Sequence, residues 1–268
     1  MEHIDEVAAA NERKWEREVQ KGGGHTIPFL DLDVEELRRF VRGDAREDRL
    51  VGRLEPRRYV SIGPLSLFTD LEGKDVLCLS AGGGQQSAVF GLLGARVTVV
   101  DIAQGQLEAD REAAAHHGYD VTTVHADMRD LSSLRPESMD LVYGMTPCWA
   151  PDIRAVYAQV ARVLRVGGVY RTDVGKPGLH FVEWDGSGYR ITKPYCESRG
   201  PYDDDGGVET RHYMDDIFNG LLDAGLSLVQ VIDGARWRQL PDAPPGSYHR
   251  MGAWTGGGFE IIARRAAS

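Results

Sequence analysis

Three consecutive glycines, Gly82, Gly83 and Gly84, follow directly on the apolar run Val76-Leu77-Cys78-Leu79 and open a segment compatible with a helix. Glycine at a strand end lets the backbone approach a nucleotide closely, and the first turn of a helix has amides without intrahelical partners. Asp101 ends the next apolar run, 19 residues beyond Gly82, the spacing at which a carboxylate accepts hydrogen bonds from ribose hydroxyls. The third run ends in Ala126-Asp127-Met128: an acid able to accept from an exocyclic amine, beside an apolar side chain able to lie on a purine ring. The fourth ends in the irregular stretch Gly144-Met145-Thr146-Pro147-Cys148-Trp149. Each feature has a plainer alternative: Asp101 as a helix N-cap, Asp127 as a turn residue, the glycines as a tight turn.

The elements that must position these residues follow from the apolar rhythm. The pattern predicts strand Val76 to Leu79, helix Gln85 to Leu93, strand Arg96 to Val100, helix Gln104 to His117 and strand Val121 to Val124. Strand Met139 to Tyr143, helix Asp152 to Leu164 and strand Gly168 to Val174 follow. Alternation of this kind specifies an α/β fold with a parallel sheet covered on both faces, and such sheets bind ligands at the carboxyl ends of their strands. Between Lys176 and Tyr213 the alternation breaks: Phe181 to Trp184 and Tyr189 to Thr192 flank Asp185-Gly186-Ser187-Gly188, a hairpin signal. Helix Met214 to Ala224 with Gly225 as its cap, strand Leu226 to Ile232, a proline-rich loop at 241–245 and strand Gly258 to Ala263 complete the chain.

Ahead of the first strand, Ile4, Val7, Ala8, Trp15 and Val19 make a helical stripe that Lys21-Gly22-Gly23-Gly24 ends. Asp33 can cap a short helix whose inner face is Val34, Leu37, Phe40 and Val41. These segments are expected over the mouth of the main domain, as a lid or as plain packing. We expect one domain over 1–268: a helical extension at 1–70, a cofactor-binding core at 71–174, an insertion on the acceptor side at 175–213, and a C-terminal helix with the last two strands at 214–268.

Composition narrows the classes. The formal charge of −10 repels phosphate backbones and disfavours general nucleic-acid binding. Cys78, Cys148 and Cys196 have neither the number nor the spacing of a disulfide framework or a zinc site, so no metal is expected and a reducing compartment is. No window reaches the roughly 20 apolar residues of a membrane span, and the first 20 residues lack the apolar run of a signal peptide, which points to the cytoplasm. Asp203-Asp204-Asp205 reads as a solvated loop.

Taken in order, Val76 to Gly84, Val97 to Asp101, His125-Ala126-Asp127-Met128, Asp140-Leu141-Val142-Tyr143 and Arg162 to Gly168 resemble the motifs of class I S-adenosylmethionine-dependent methyltransferases. The resemblance covers about residues 73 to 174, with a compatible tail to 265, and is greatest to the small-molecule branch of bacterial enzymes. It implies a three-layer, Rossmann-like sheet of seven mostly parallel strands, the last antiparallel, with S-adenosylmethionine as cofactor. It places Gly82 and Gly84 against the methionyl part, Asp101 on the ribose, Ile102 and Met128 about the adenine, and Asp127 on its amino group. Ser80, Ala81, Gln86, Gln106 and Tyr143 would complete the cofactor wall. Two residues depart from the family: Cys78 stands where an acid is usual in the first strand, and Ser80 where the first motif glycine often is. The methionine amine would then be held by other groups, such as Ser80 or the N-terminal segment.

Methyl transfer from a sulfonium is an in-line displacement that asks for positioning and exclusion of water, and a hydroxyl acceptor also profits from a base. His212 has the best unperturbed pKa for that role, with Tyr143 and Tyr195 as further catalytic candidates. Trp15, His25, Tyr59, Cys148, Trp149, Glu183, Trp184 and Tyr213 are the candidates for an acceptor pocket. A small molecule is the expected substrate. The remaining alternatives are another use of the sulfonium, such as intramolecular cyclisation, a non-catalytic cofactor sensor, and an NAD-dependent dehydrogenase. Against the last, Ser87 occupies the place of the third dinucleotide glycine or alanine.

Overall fold

The charged N-terminus folds as α1 (Glu2–Lys21), and the Asp33 carboxylate caps α2 (Val34–Val41) by accepting the amides of Glu35 and Glu36. Leu37, Phe40 and Val41 are buried as the stripe predicts, and Val34 is half-buried. Then β1 (Asp75–Leu79), α3 (Gln86–Leu92), β2 (Arg96–Asp101), α4 (Gln104–His117), β3 (Val121–His125), β4 (Met139–Gly144), α5 (Ile153–Val163) and β5 (Leu164–Gly175) alternate. β5 begins earlier than predicted because Leu164, the cap of α5, is already extended at φ −67°, ψ 140°, so helix passes into strand without a loop. β6 (Val182–Trp184) and β7 (Tyr189–Ile191) are the predicted hairpin. A second one, β8 (Pro201–Asp204) and β9 (Gly207–Thr210), takes up Asp203 and Asp204, where the sequence predicts a loop. α6 (Met214–Asp223), β10 (Leu226–Asp233), α7 (Tyr248–Thr255) and β11 (Gly258–Arg265) follow. α7 was not predicted; Ser247 caps it by accepting from the amide of Arg250 at 3.1 Å.

The computed structural model describes residues 2–43, 64–144, 147–197, 201–204, 206–234 and 242–267. The sheet has seven strands and is mostly parallel, with β11 antiparallel to both of its neighbours. The chain divides into two compact units. The first runs over Glu12–Met128 and Met139–Tyr143 and holds β1 to β4, with β1 parallel to β2 and β2 to β3. Val76, Leu77, Cys78, Leu79, Val99 and Val100 are buried in it, each large aliphatic side chain contributing about 1.5–3 kcal/mol. The second comprises Met1–Asn11, Arg129–Ser138 and Gly144–Ser268, with β5, β11 and β10 as an antiparallel ladder and α5 and α6 packed together. Among the described residues no helix is long and apolar enough to cross a membrane. None of the three cysteines is in a disulfide; Cys78 is buried, Cys148 half-buried and Cys196 exposed.

Candidate cofactor and acceptor sites

The turn from β1 into α3 decides what the first unit can bind. Ser80 takes φ +51°, a left-handed conformation natural to glycine, and its amide donates to the Val100 carbonyl at 2.9 Å. Beyond it the glycine amides turn towards the protein. Gly82 N–H donates to Asp101 Oδ2 at 3.2 Å, Gly83 N–H to Asp110 Oδ2 at 3.2 Å and Gly84 N–H to Asp110 Oδ1 at 3.0 Å. In a trans peptide the carbonyl points opposite to the N–H, so the oxygens of Ala81, Gly82 and Gly83 face away from the two carboxylates. A phosphate-binding loop needs the reverse, N–H groups aimed at the ligand. This loop offers carbonyl dipoles, which suit a cation and count against a dinucleotide.

The glycines also answer a packing demand that the sequence does not show. A Cβ on Gly82 would stand 2.6 Å from Gln106 Cβ, one on Gly83 2.6 Å from the His25 carbonyl oxygen, and one on Gly84 2.5 Å from the Ala109 carbonyl oxygen. Two of these neighbours belong to α4 and one to the N-terminal segment, which is further tied down by Phe29 N–H on the Gly84 carbonyl at 3.1 Å. The Gln85 side chain donates to the carbonyls of Gly24 and Ile27 at 2.8 and 2.9 Å.

Asp101 is buried at the end of β2, its Oδ1 accepting from the Ala103 amide at 3.0 Å. Burial pushes its carboxyl up to about 6, opposed by the amide hydrogen bonds of Ala103, Gly82 and Ile102. Ile102, Asp127 and Met128 are half-buried, and Ala81 and Gln86 buried, Gln86 as the first residue of α3. Gln106 is buried with no hydrogen-bond partner for its Oε1. This orphaned acceptor lies 2.7 Å from where a Cβ of Gly83 would be. Tyr143 packs edge-on to Phe90 and Phe68, at 5.2 and 5.9 Å between centroids, in the hydrophobic core. Trp15 is half-buried on α1; on the same helix Glu12 approaches His125 Nε2 at 3.2 Å and Glu16 accepts the Gly105 amide at 3.1 Å. The His25 side chain is exposed, and Tyr59 lies outside the described residues. The residues fit S-adenosylmethionine: a buried acceptor for ribose hydroxyls in Asp101, and an unpartnered amide oxygen beside outward carbonyls where a cation is required.

The second unit contains the short 3-10 turn Pro147–Trp149. His212, just after β9, is buried, and burial holds its pKa below the usual value. The backbones of Pro147 and Ala150 hydrogen-bond with the ring, and Asp216 and Asp152 also oppose that shift. Its Nε2 has no partner, and neither has the buried Thr210 Oγ1. Asn11 fastens the surroundings: its Nδ2 donates to the carbonyls of Trp149 and Val208 at 2.8 and 3.0 Å, and its Oδ1 accepts the Val208 amide at 2.7 Å. Burial pushes the Cys148 thiol up, with Glu209 adding to the shift. Tyr195 is exposed and rests on Phe181 and Tyr213; the Tyr213 hydroxyl donates to the Cys196 carbonyl at 3.0 Å. Glu183 and Trp184 are exposed on β6, where Trp184 meets Tyr189 edge-on at 5.1 Å.

Asp110, Tyr119 and Asn11 were not singled out from the sequence, and Ser87 only as a departure from the dinucleotide motif. The signal for Asp110 was there: it shares the helical face of Leu107, Ala113 and Ala114, all buried, where a carboxylate needs partners.

Residues 76–168 match the model of the methyltransferase domain family. The chain is similar to the uncharacterized methyltransferase YbaJ of Bacillus subtilis (strain 168), 26% identical over 236 residues, covering 83% of this chain and 88% of that protein. It is similar also to the ubiquinone biosynthesis O-methyltransferase of Idiomarina loihiensis, 29% identical over 143 residues, 52% of this chain and 59% of that enzyme. Among solved structures, an S-adenosylmethionine dependent methyltransferase from Mesorhizobium loti shares the fold with a TM-score of 0.61 at 20% identity, over 84% of this chain and 100% of that one. Ordered motifs, a seven-stranded sheet and the matched model agree: residues 76–168 are a methyltransferase domain, in a chain that shares its fold with S-adenosylmethionine-dependent methyltransferases.

Proposed function

We propose that this methyltransferase acts on the hydroxyl of a small molecule, with His212 as the base that takes the hydroxyl proton. The carrying observation is a buried imidazole whose Nε2 has no partner and whose pKa is lowered by burial, so that the ring is neutral and able to accept a proton at neutral pH. The ubiquinone-pathway relative is an O-methyltransferase by name, which supports an oxygen acceptor. The bound cofactor supplies a methyl group on a sulfonium sulfur. Asp101 holds its ribose, Ile102 and Met128 flank its adenine, and Asp127 accepts from the adenine amine. Gln106 Oε1 takes the methionyl ammonium, the role that Cys78 cannot fill. Trp149, Cys148 and Tyr213 serve the acceptor side.

His212→Gln is expected to lower kcat by about 10²–10⁴-fold while the Kd for S-adenosylmethionine stays within about twofold. The wild-type rate should rise with pH below the ordinary imidazole value of 6.5, as Nε2 loses its proton, and be flat above it. Stability carries the same sign. The unfolded imidazole takes up a proton at a higher pH than the folded one, so this contribution is complete above 6.5 and is lost as pH falls through the depressed folded value. Labelled-methyl assays on matched panels of phenols, thiols and amines test the acceptor class. An unchanged kcat in His212→Gln removes the base, and methylation confined to thiols or amines removes the hydroxyl.

A further inference from the structure

We propose that Asp110 tunes the pocket to the positive charge of its cofactor, favouring the sulfonium of S-adenosylmethionine relative to the neutral thioether left after transfer. The inference rests on S-adenosylmethionine binding at the glycine loop. Asp110 is completely buried on α4 and holds the amides of Gly83 and Gly84 on its two oxygens. Ser87 Oγ donates to its Oδ1 at 2.5 Å, and Tyr119 donates to Ser87 Oγ at 3.2 Å, so a chain of hydroxyls fixes the carboxylate in one orientation. Burial pushes its carboxyl up to about 7, with nearby Asp101 adding to the shift, while the hydrogen bonds from Ser87, Gly84 and Gly83 favour the carboxylate, as a cation beside it would. Among the described residues neither acid has a Lys or Arg within ion-pair distance. Cys78, beneath the loop, is a buried thiol that burial and Asp110 keep protonated, so β1 adds no charge.

Two buried carboxylates without a basic partner are costly, and a cation seated on the outward face of the loop offsets that cost. An independent sign that this face receives a cation is Gln106 Oε1, a buried, unpartnered acceptor beside Gly83. The carboxylate acts twice: directly through a low-dielectric interior, and by holding the Gly84 amide inward, and with the Gln106 carbonyl the Gly83 amide, so that the carbonyls of Gly82 and Gly83 point away from it. Loss of the methyl removes the sulfonium charge and with it this attraction, while ribose, adenine and the amino-acid part keep their contacts. The difference between the two ligands therefore isolates the charge.

Calorimetry with S-adenosylmethionine, with sinefungin, whose protonated amine stands in for the sulfonium, and with S-adenosylhomocysteine tests this without turnover. Asp110→Asn is expected to weaken the two cationic ligands about 10-fold and the thioether less than about threefold. Ser87→Ala, which keeps the charge, should leave the ratio of affinities unchanged. Cys78→Asp/Asp110→Asn, which returns a carboxylate from β1, should restore the ratio; if the single variant does not fold, this double variant set against Cys78→Asn/Asp110→Asn reads the same charge. Equal weakening of all three ligands, or none, overturns the inference and leaves the cofactor site standing. Failure of the wild type to bind S-adenosylmethionine overturns both.

Discussion

Ser80 holds a left-handed backbone, φ +51°, at the step where β1 gives way to the glycine loop, and its amide is committed to the Val100 carbonyl. For a residue with a Cβ that conformation costs about 1–2 kcal/mol, whereas glycine adopts it freely but loses about 0.5–1 kcal/mol of chain entropy on folding. Relief of strain exceeds the entropy lost, so Ser80→Gly is expected to stabilise the protein by about 0.5–1 kcal/mol, a rise of about 1–4 °C in the thermal midpoint. Differential scanning calorimetry checks this, and a lower midpoint would show that the hydroxyl contributes more than the backbone strain costs. The serine thus fits a turn natural to glycine, at an energetic cost.

Among the elements, the α1 stem shows how a single residue can organise distant segments. Asn11 makes three hydrogen bonds, to the Trp149 carbonyl and to both backbone groups of Val208, so one side chain clamps the turn after β4 to the hairpin that precedes His212. At about 1 kcal/mol per bond, with the Val208 amide and two carbonyls left behind, Asn11→Ala is expected to cost about 2–4 kcal/mol. It should also raise the acceptor KM more than it changes the Kd for S-adenosylmethionine, and equal effects on both would place Asn11 outside the acceptor side. None of this was legible in the sequence, because Asn11 lies among charged residues of an amphipathic helix and its partners are backbone atoms 138 and 197 residues away. What was legible rests on periodicity: α4 runs over Gln104–His117 as its apolar stripe predicts, with Gly118 at φ +75° ending it. The β8–β9 hairpin escaped because Pro201-Tyr202-Asp203-Asp204 lacks apolar alternation, and α7 because Gly252 and the prolines before it read as loop. The glycine loop was found for its geometry, yet its polarity was hidden. The acceptors on Asp101, Asp110 and the Gln106 backbone show that the amides point inward.

Over the whole molecule charge is in excess, formally −10, and the two units handle carboxylates withdrawn from water differently. In the first, Asp101 and Asp110 answer to backbone amides and a serine and have no Lys or Arg beside them among the described residues. In the second, Glu260 on β11 sits directly opposite Asp173 on β5, a like-charge pair that destabilises an antiparallel ladder. Arg171, two residues along the same strand and fully buried, donates to both, to Glu260 Oε2 at 2.8 Å and to both oxygens of Asp173. The guanidinium is therefore what allows the pair. Removing it leaves two half-buried carboxylates facing each other, and Arg171→Met is expected to cost about 2–4 kcal/mol, roughly 10 °C in the thermal midpoint. Replacing the acids as well, in Arg171→Met/Asp173→Asn/Glu260→Gln, should recover most of that loss, because no like-charge pair is then left unneutralised. Thermal unfolding of the three proteins separates this from a packing defect: a triple variant as unstable as Arg171→Met would mean that the arginine acts through its volume. S-adenosylmethionine should raise the midpoint of wild type and of Arg171→Met by the same amount, since the charge it offsets belongs to Asp101 and Asp110 and not to the ladder.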